Sequence, residues 1–379
     1  MKIGIITQPL HSNYGGLLQN YALQQVLKRF GNDVVTLDQT HSRPKRWRIY
    51  ASCFKTFFLR LIGKGKKRVY PFYITESIRA QICKYTDDFI NKYISRSPIL
   101  NGKESFRNYT REHQFDILIV GSDQVWRPRY NKDVLRSFLD FSEGMKIKRI
   151  AYAASFGVDY WEFSQEQTLE ANKLIKQFDA VSVREDSGVD LCRKYLKCDV
   201  LHVLDPTMLL DKEDYISLVE QEKEPLSEGD LFTYILDDSA EKQEIIQNVA
   251  LALSLTPFTS MPQNKLVNRE SIENIDLCVY PPVTQWLRSF MDAKFVVCDS
   301  FHGAVFSIIF NKPFLIIGNK ERGMSRFNSL LRMFDLEARM IAVDCQRLSV
   351  INASIDWSKV NAKRDVLRKK SVDFIKDCL

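Results

Sequence analysis

The sequence lacks the patterns that identify several common classes of protein. Its eight cysteines are scattered, with no Cys-x-x-Cys pair and no paired spacing with histidine, so neither a metal site nor a disulfide framework is predicted. No run of about 18 apolar residues occurs, which excludes a membrane-spanning helix. The Gly15-Gly16 pair after the first strand pattern lacks the spacing of a dinucleotide fingerprint. We therefore expect no NAD and no other cofactor.

Acidic residues are missing from one stretch of the chain. Residues 41–70 contain no Asp or Glu, and all ten of their charged residues are Lys or Arg (Arg43, Lys45, Arg46, Arg48, Lys55, Arg60, Lys64, Lys66, Lys67 and Arg68). Aromatic and aliphatic residues alternate with these cations from Trp47 to Leu61. The pattern predicts a basic amphipathic helix that contacts an anionic membrane surface. A helical insertion with a solvated basic face is the alternative, and no nucleic-acid module surrounds the segment.

The size and composition are those of a globular protein with more than one domain. The chain has 379 residues, of which 45% are hydrophobic and 27% charged, and this length favours two domains of roughly 150–200 residues each. The first residues begin a strand pattern and have no signal-peptide layout. We therefore expect a cytoplasmic protein, with peripheral contact at the inner face of the membrane through residues 41–70.

Short apolar runs alternate with helical patterns through both halves of the chain. Strands are predicted at 2–7, 34–38, 115–120, 149–156, 180–183, 231–236, 257–261, 295–298 and 314–318, with amphipathic helices between them. This alternation predicts an α/β fold of two Rossmann-like, doubly wound domains. The predicted N-terminal domain is 1–206, with the helical insertion at about 40–100. The C-terminal domain is 207–358, and a charged helix over 359–379 is expected to pack back across both.

The most informative stretch joins a buried strand to a buried helix. The apolar run 295–298 is followed by Asp299-Ser300-Phe301-His302-Gly303 and then by a second apolar run. A tight strand-to-helix turn places free N–H groups and the positive end of a helix dipole at the carboxyl edge of a sheet, where anions bind. His302 can exchange a proton near neutral pH, or it can simply cap the turn.

Polar residues also follow other predicted strands at the same kind of edge. Gly121-Ser122-Asp123-Gln124-Val125-Trp126 follows one of them, and Asn13-Tyr14-Gly15-Gly16 follows the first, where an ordinary tight turn is the alternative. Arg184 follows another, where it can bind a phosphate or carboxylate or pair with Glu185 or Asp186. The loop after the last predicted strand carries Arg322, Ser325 and Arg326, which predict a second anion-binding site.

Taken in order, these four motifs (13–16, 121–126, 182–187 and 299–303) resemble the polysaccharide pyruvyl transferase family. The resemblance extends from about residue 3 to about residue 331, without the insertion. It implies two Rossmann-like domains facing a cleft, similar to B-type glycosyltransferases. It also implies transfer of a pyruvyl group from phosphoenolpyruvate to sugar hydroxyls of a surface or capsular polysaccharide or of a lipid-linked precursor. The Arg of the family's Arg-x-His pair is replaced here by Ser300.

The resemblance suggests a role for each motif. His302 is the expected general acid/base, oriented by Asp299. The donor phosphate and carboxylate are assigned to Arg184, Ser300, Gly303, Arg322, Ser325 and Arg326. The acceptor sugar is assigned to Asn13, Tyr14, Gly15, Gly16, Ser122, Asp123, Gln124 and Trp126. Two other functions remain open: a glycosyltransferase that uses a nucleotide sugar in the same cleft, and a catalytically degenerate glycan-binding protein.

Overall fold

The computed structural model describes residues 1–39, 75–265, 274–318, 323–343 and 349–379, together with Tyr50, Phe54 and Phe58. Most of the basic segment 41–70 and the predicted site residue Arg322 therefore lie outside the described residues. The described part forms two parallel sheets with helices between consecutive strands. The predicted α/β class with two Rossmann-like halves is confirmed.

The first sheet has six strands in the order β2-β1-β3-β4-β5-β6. The strands are β1 (Lys2–Ile6), β2 (Asp33–Thr36), β3 (Ile117–Val120), β4 (Lys148–Ala154), β5 (Ala180–Val183) and β6 (Leu201–His202). All of its pairings are parallel, for example Ile3 opposite Ile117. β2 pairs with one edge of β1, and β3 pairs with its other edge, so the direction in which strands are added reverses at β1. In such sheets ligands bind beyond the carboxyl ends of the strands at this reversal point.

The second sheet has five described strands in the order β11-β10-β9-β7-β8. They are β7 (Leu231–Tyr234), β8 (Pro257–Phe258), β9 (Phe295–Cys298), β10 (Phe314–Ile317) and β11 (Met340–Ile341). The central strands β9 and β10 are buried at every position, as expected for a parallel sheet covered on both faces, whereas the edge strand β8 is partly exposed. The order reverses between β7 and β9, so the 299–303 turn lies at the second reversal point.

Helices connect these strands. In the first half they are α1 (Tyr14–Arg29), α2 (Glu76–Ile82), α3 (Lys84–Tyr93), α4 (Gly102–His113), α5 (Gln165–Ile175) and α6 (Asp186–Leu191). In the second they are α7 (Lys212–Glu222), α8 (Ala240–Leu253), α9 (Val283–Asp292), α10 (Phe301–Ile309), α11 (Ser325–Phe334) and α12 (Trp357–Cys378). α2 and α3 are separate helices because the helical geometry is interrupted at Cys83, where φ is −101° and ψ is 7°.

The final helix, α12, contacts both halves. Ser371 accepts a hydrogen bond from the backbone N–H of Leu204 at 3.0 Å, and the rings of Phe374 and Tyr152 lie 6.2 Å apart. At its other end, Lys359 pairs with Asp335 at 2.9 Å. One cluster of buried hydrophobic side chains also includes residues of both sheets. The two halves are thus joined by an apolar interface, while the domain boundary near 206 stays a prediction.

Across the described ranges, no helix has the length and apolar character needed to span a lipid bilayer.

Candidate active site

Residues that follow strands of both sheets meet in one buried cluster. Asp123 and Arg184 come from the loops after β3 and β5, while Phe301 and His302 begin α10 after β9. The guanidinium carbon of Arg184 lies 4.7 Å from the centre of the Phe301 ring. The carboxyl edges of the two sheets therefore face each other here, and the predicted meeting of these motifs is observed.

His302 reaches from the second half into the first. Its side chain is only 8% exposed, and Nε2 lies 3.6 Å from Oδ2 of Asp205. On the other side of the ring, a Cβ added at Gly15 would lie 2.0 Å from Nδ1. The ring is thus enclosed between the first turn of α1 and the segment that follows β6. Gly15 is required because any side chain there would occupy the space of the imidazole.

Replacing Gly15 by alanine is expected to displace the His302 ring. The new methyl group would overlap Nδ1, and overpacking of this kind costs about 1–3 kcal/mol. We expect a lower unfolding temperature and turnover reduced by at least about tenfold. Thermal unfolding and a turnover assay measure the two effects.

The neighbouring substitution Gly16→Ala provides the comparison. There the nearest atom to an added Cβ is Nδ2 of the Asn13 side chain at 3.1 Å, and alanine is the better helix former. Equal losses of turnover and of unfolding temperature in the two variants would show that helix geometry, and not contact with His302, explains the effect.

Asp205 is the carboxylate beside His302, and the sequence analysis did not identify it. Its Oδ2 accepts hydrogen bonds from Arg184 Nη1 at 2.7 Å and from Ser122 Oγ at 3.3 Å. Its Oδ1 accepts from the backbone N–H of Thr207 at 3.0 Å and from the Thr207 hydroxyl at 2.7 Å. Burial alone would raise the pKa of Asp205, but His302 and Arg184 outweigh it and hold the pKa well below its ordinary value. Asp205 is therefore ionised.

A local signal for Asp205 was present in the sequence. An Asp followed by proline is typical of a helix start, with the Asp as N-cap and the proline at the first helical position. Asp205 does cap the short 3-10 helix Pro206–Leu209. That signal predicts the capping contact of Oδ1, but it does not predict that Oδ2 faces His302.

Arg184 is fully buried and shared between two carboxylates. Besides Asp205, it donates to Oδ1 of Asp123 at 3.1 Å. Burial alone would lower the pKa of Arg184, but Asp205 and Asp123 outweigh burial, so the pKa lies above its ordinary value. Asp123 also has a lowered pKa: burial raises it, and Arg184, His302 and Arg326 more than offset that. The alternative pairing of Arg184 with Glu185 is only a 3.9 Å contact, and Asp186 pairs with Arg332 instead.

Arg326, near the start of α11, is the second buried cation at the cluster. Its guanidinium carbon lies 5.6 Å from the Phe301 ring centre, so guanidinium groups from both halves contact the same ring. Burial lowers the pKa of Arg326 to about 10, and the like charge of Arg184 contributes to the shift. At neutral pH both arginines are charged, and both lie over the Phe301 ring.

Several buried polar atoms around this cluster have no hydrogen-bond partner within the described part of the chain. They are Arg184 Nε, Glu185 Oε2, His302 Nε2 and Ser325 Oγ. Buried polar groups in proteins are nearly always hydrogen-bonded to protein, water or ligand. Their concentration at the facing sheet edges indicates a place for a polar ligand.

Asp299 does not orient His302, so this part of the predicted site is wrong. Its carboxylate accepts hydrogen bonds from the backbone N–H groups of Leu236 at 2.7 Å and Asp237 at 3.1 Å. It also pairs with the buried Lys242 Nζ at 2.6 Å. Asp299 points along its own sheet toward the end of β7, because the adjacent strand offers two N–H donors and a cation there. It fixes the loop after β7.

Two predicted acceptor-binding aromatic residues are part of the core. Trp126 is fully buried, its Nε1 donates to the Ser137 carbonyl at 2.9 Å, and its ring stacks on Phe138. Tyr14 is also buried, and its hydroxyl donates to the Pro281 carbonyl at 2.8 Å. Neither residue presents a face to a ligand.

The remaining predicted residues have mostly local partners. Asn13 caps α1 by accepting from the N–H of Gly16, and Ser122 Oγ donates to the Ala153 carbonyl at 3.0 Å. Gln124 is half-buried, and its Oε1 accepts from Arg127 at 2.9 Å.

At the second reversal point, Ser300 precedes α10 and makes no capping hydrogen bond with its side chain. A Cβ on Gly303 would lie 2.8 Å from that of Cys298, so this glycine permits close helix–strand packing. Its predicted contact with the donor anion stays a prediction. Within the described ranges, no group of three or more His, Cys, Asp or Glu side chains could hold a metal ion.

Comparison with known proteins places this site in a family. The structure is similar to UDP-GlcNAc 2-epimerase from Neisseria meningitidis bound to UDP-GlcNAc, with a TM-score of 0.51 and 10% identity over 100% of this chain and 99% of that chain. The S. aureus MnaA–UDP structure gives a TM-score of 0.49 and 13% identity over 99% and 96% of the two chains. Curated protein sequences give no significant match. The Neisseria likeness shows the fold, that of the B-type glycosyltransferases and related epimerases.

A family model described as polysaccharide pyruvyl transferase matches residues 13–321. The match includes all four motifs that end at the facing sheet edges. The chain therefore belongs to the polysaccharide pyruvyl transferase family.

Proposed function

We propose that the protein transfers the pyruvyl group of phosphoenolpyruvate to a hydroxyl, or a pair of hydroxyls, of a glycan or its lipid-linked precursor. The observation that carries the proposal is the position of His302 next to two buried arginines from opposite halves, Arg184 and Arg326, which both contact Phe301. Membership of the family supports the reaction class. The geometry supports a site that combines a proton donor with anion binding.

The donor would bind mainly through the second half of the cluster. Phosphoenolpyruvate carries a phosphate and a carboxylate, which call for guanidinium and hydroxyl or N–H donors. Ser325 Oγ and Arg326 lie at the first turn of α11, where the helix dipole also favours an anion. An anion here would relieve the repulsion between Arg326 and Arg184. Arg184, already bound to two carboxylates, offers only Nε.

The proposed chemistry needs one proton donor. A proton adds to the methylene carbon of phosphoenolpyruvate, and an acceptor hydroxyl oxygen bonds to the adjacent carbon. A second hydroxyl oxygen then bonds to that carbon as its bond to the phosphate oxygen breaks, which gives a ketal and inorganic phosphate. Of the two hydroxyl protons lost, one replaces the proton given to the methylene carbon, and the other leaves with phosphate or solvent. His302 donates and recovers the proton.

The test is phosphate release from phosphoenolpyruvate in the presence of lipid-linked and oligosaccharide acceptors. Thermal unfolding with phosphoenolpyruvate, UDP-sugars and GDP-sugars is measured in parallel. We expect stabilisation by phosphoenolpyruvate and acceptor-dependent phosphate release. Stabilisation by nucleotide sugars alone would instead identify a glycosyltransferase. Glycan binding without phosphate release from any acceptor would identify a non-catalytic family member.

We also propose that the basic segment contacts anionic lipid. Tyr50, Phe54 and Phe58 are helical residues spaced four apart and are 71%, 69% and 59% exposed, so they share one face. Vesicles containing phosphatidylglycerol should sediment the protein, and vesicles of phosphatidylcholine alone should not. Each Lys or Arg near an anionic surface contributes about 1 kcal/mol. Replacing Lys64, Lys66, Lys67 and Arg68 by glutamine should therefore weaken binding by at least about tenfold. Unchanged sedimentation would contradict the proposal.

A further inference from the structure

We propose that Asp205 is a positioning residue that fixes the imidazole ring of His302 across the cleft. Asp205 acts through His302 and does not touch the substrate. This inference rests on the proposed function, because it assigns a partner to the group that donates the proton. It also replaces Asp299 in the role that the sequence suggested.

The contacts of Asp205 fix its position. Oδ1 is held by two donors of Thr207 at 2.7 and 3.0 Å. Oδ2 is held by Arg184 and Ser122 and faces Nε2 of His302 at 3.6 Å. A carboxylate with so many partners cannot rotate away from the imidazole. Nε2 has no hydrogen-bond partner among the described residues, and the Asp205 carboxylate facing it is an acceptor within reach of a small movement of the ring.

Buried carboxylates place negative charge beside His302. Asp205 and Asp123 share one Arg184, so these three groups carry one negative charge in excess. The His302 ring therefore faces a net negative charge, and Oδ2 of Asp205 is 3.6 Å from its Nε2. Glu185 lies behind Arg184, where its Oε1 accepts from Ser155 and from the N–H groups of Phe156 and Gly157. Tyr152 and Tyr215 also face Asp205, and burial raises the pKa of each hydroxyl, so both stay neutral.

The two partners come from different halves of the chain. His302 belongs to the turn after β9, whereas Asp205 follows β6 of the first sheet. The proton donor is therefore complete only where the two halves meet. The same arrangement recurs in the orienting Asp of Ser-His-Asp sites, which holds an imidazole without itself becoming protonated.

A double-mutant cycle tests the inference. Asp205→Asn, His302→Gln and the double variant are assayed for phosphate release from phosphoenolpyruvate with the acceptor that the wild-type protein uses. We expect Asp205→Asn to lower kcat by at least about tenfold and to change KM for phosphoenolpyruvate by less than about threefold. In the His302→Gln background the same substitution should cause no further loss. Losses that multiply would overturn the inference, because they would show that Asp205 acts independently of His302.

Nitrogen-15 NMR of the imidazole rings gives a readout that does not need activity. The chain has five histidines, and the His302→Gln spectrum identifies the signals of His302. Asp205→Asn should change the nitrogen shifts of His302, since the charge facing Nε2 is gone. Unchanged shifts would overturn the pairing. If Asp205→Asn changes the shifts but the wild-type protein releases no phosphate from any acceptor, the pairing stands and the proposed function is rejected.

The control is the same substitution at the next helix cap. Asp211 caps α7 and pairs with Arg368 on α12, and asparagine is an equally good cap. Asp211→Asn should leave kcat and the His302 signals unchanged. If Asp205→Asn does not fold, Thr207→Val removes one anchor of the carboxylate and keeps its charge. Turnover must then fall in the wild-type background and not in the His302→Gln background, and unchanged turnover in both contradicts the inference.

Discussion

Replacing His302 by glutamine is expected to lower kcat for phosphate release from phosphoenolpyruvate by roughly 10²–10⁴-fold. Glutamine nearly fills the space between Gly15 and Asp205 and can form hydrogen bonds, but it cannot deliver a proton near neutral pH. KM for phosphoenolpyruvate should change little, because the proposed donor contacts belong to Arg326 and Ser325. Steady-state assays at saturating acceptor measure both constants.

His113→Gln is the matched control. His113 lies at the end of α4, where its ring stacks on Tyr109, and the substitution there should leave kcat unchanged. Turnover of the His302→Gln protein within about twofold of wild type would remove His302 from the mechanism and leave the reaction without its assigned acid.

Replacing Arg184 by glutamine is expected to lower the free energy of unfolding by about 3–5 kcal/mol, the usual cost of leaving buried charges without their partner. Asp123 and Asp205 would both lose the guanidinium that now bridges them. Urea denaturation at pH 7 measures the loss. Arg332→Gln is the control, because Arg332 pairs with Asp186 at the surface, with 55% of its side chain exposed. Pairs of that kind contribute about 0–1 kcal/mol.

The loss of unfolding free energy in Arg184→Gln should become smaller as the pH falls. Asp123 and Asp205 have pKa values below that of an ordinary aspartate. They therefore stabilise the fold above the unfolded-state pKa of about 3.9, and this stability is lost as pH falls through the folded-state values. Without Arg184, Asp123 loses the strongest influence that lowers its pKa, so burial would raise that pKa and this carboxylate would protonate at a higher pH. The difference in stability between variant and wild type should shrink between pH 7 and pH 4. A constant difference would show that the cost is packing alone.

Nine of the eleven described strands could be predicted because each is a short apolar run, whereas the two-residue strands β6 and β11 are too short to give a pattern. Phe295–Cys298 and Phe314–Ile317 are apolar at every position, and the structure has strands there. Residues directly after such runs must lie at a sheet edge. For this reason Ser122 and Arg184 could be expected at one sheet edge, and the family resemblance implied the cleft in which His302 faces them.

The partners of those residues could not be predicted in the same way. Asp299 is three positions from His302 in sequence, yet its carboxylate points to β7, whereas Asp205 is 97 residues away from His302 and faces it. Which carboxylate meets the imidazole depends on how the two sheets dock. The same holds for Trp126, since an aromatic residue after a strand can equally cover a ligand or fill the core beneath the loop.

The contacts of α12 have a consequence for synthesis on the ribosome. Tyr152 and Leu204 belong to the first half, yet they are covered by Phe374 and Ser371. Leu204 precedes Ser371 by 167 residues, and Tyr152 precedes Phe374 by 222 residues. At elongation rates of about 5–20 residues per second, each site is made roughly 8–45 seconds before its cover. Until α12 is made, the first sheet has an exposed apolar surface to which a chaperone can bind. The nascent chain completes its first half only after its second half has been translated.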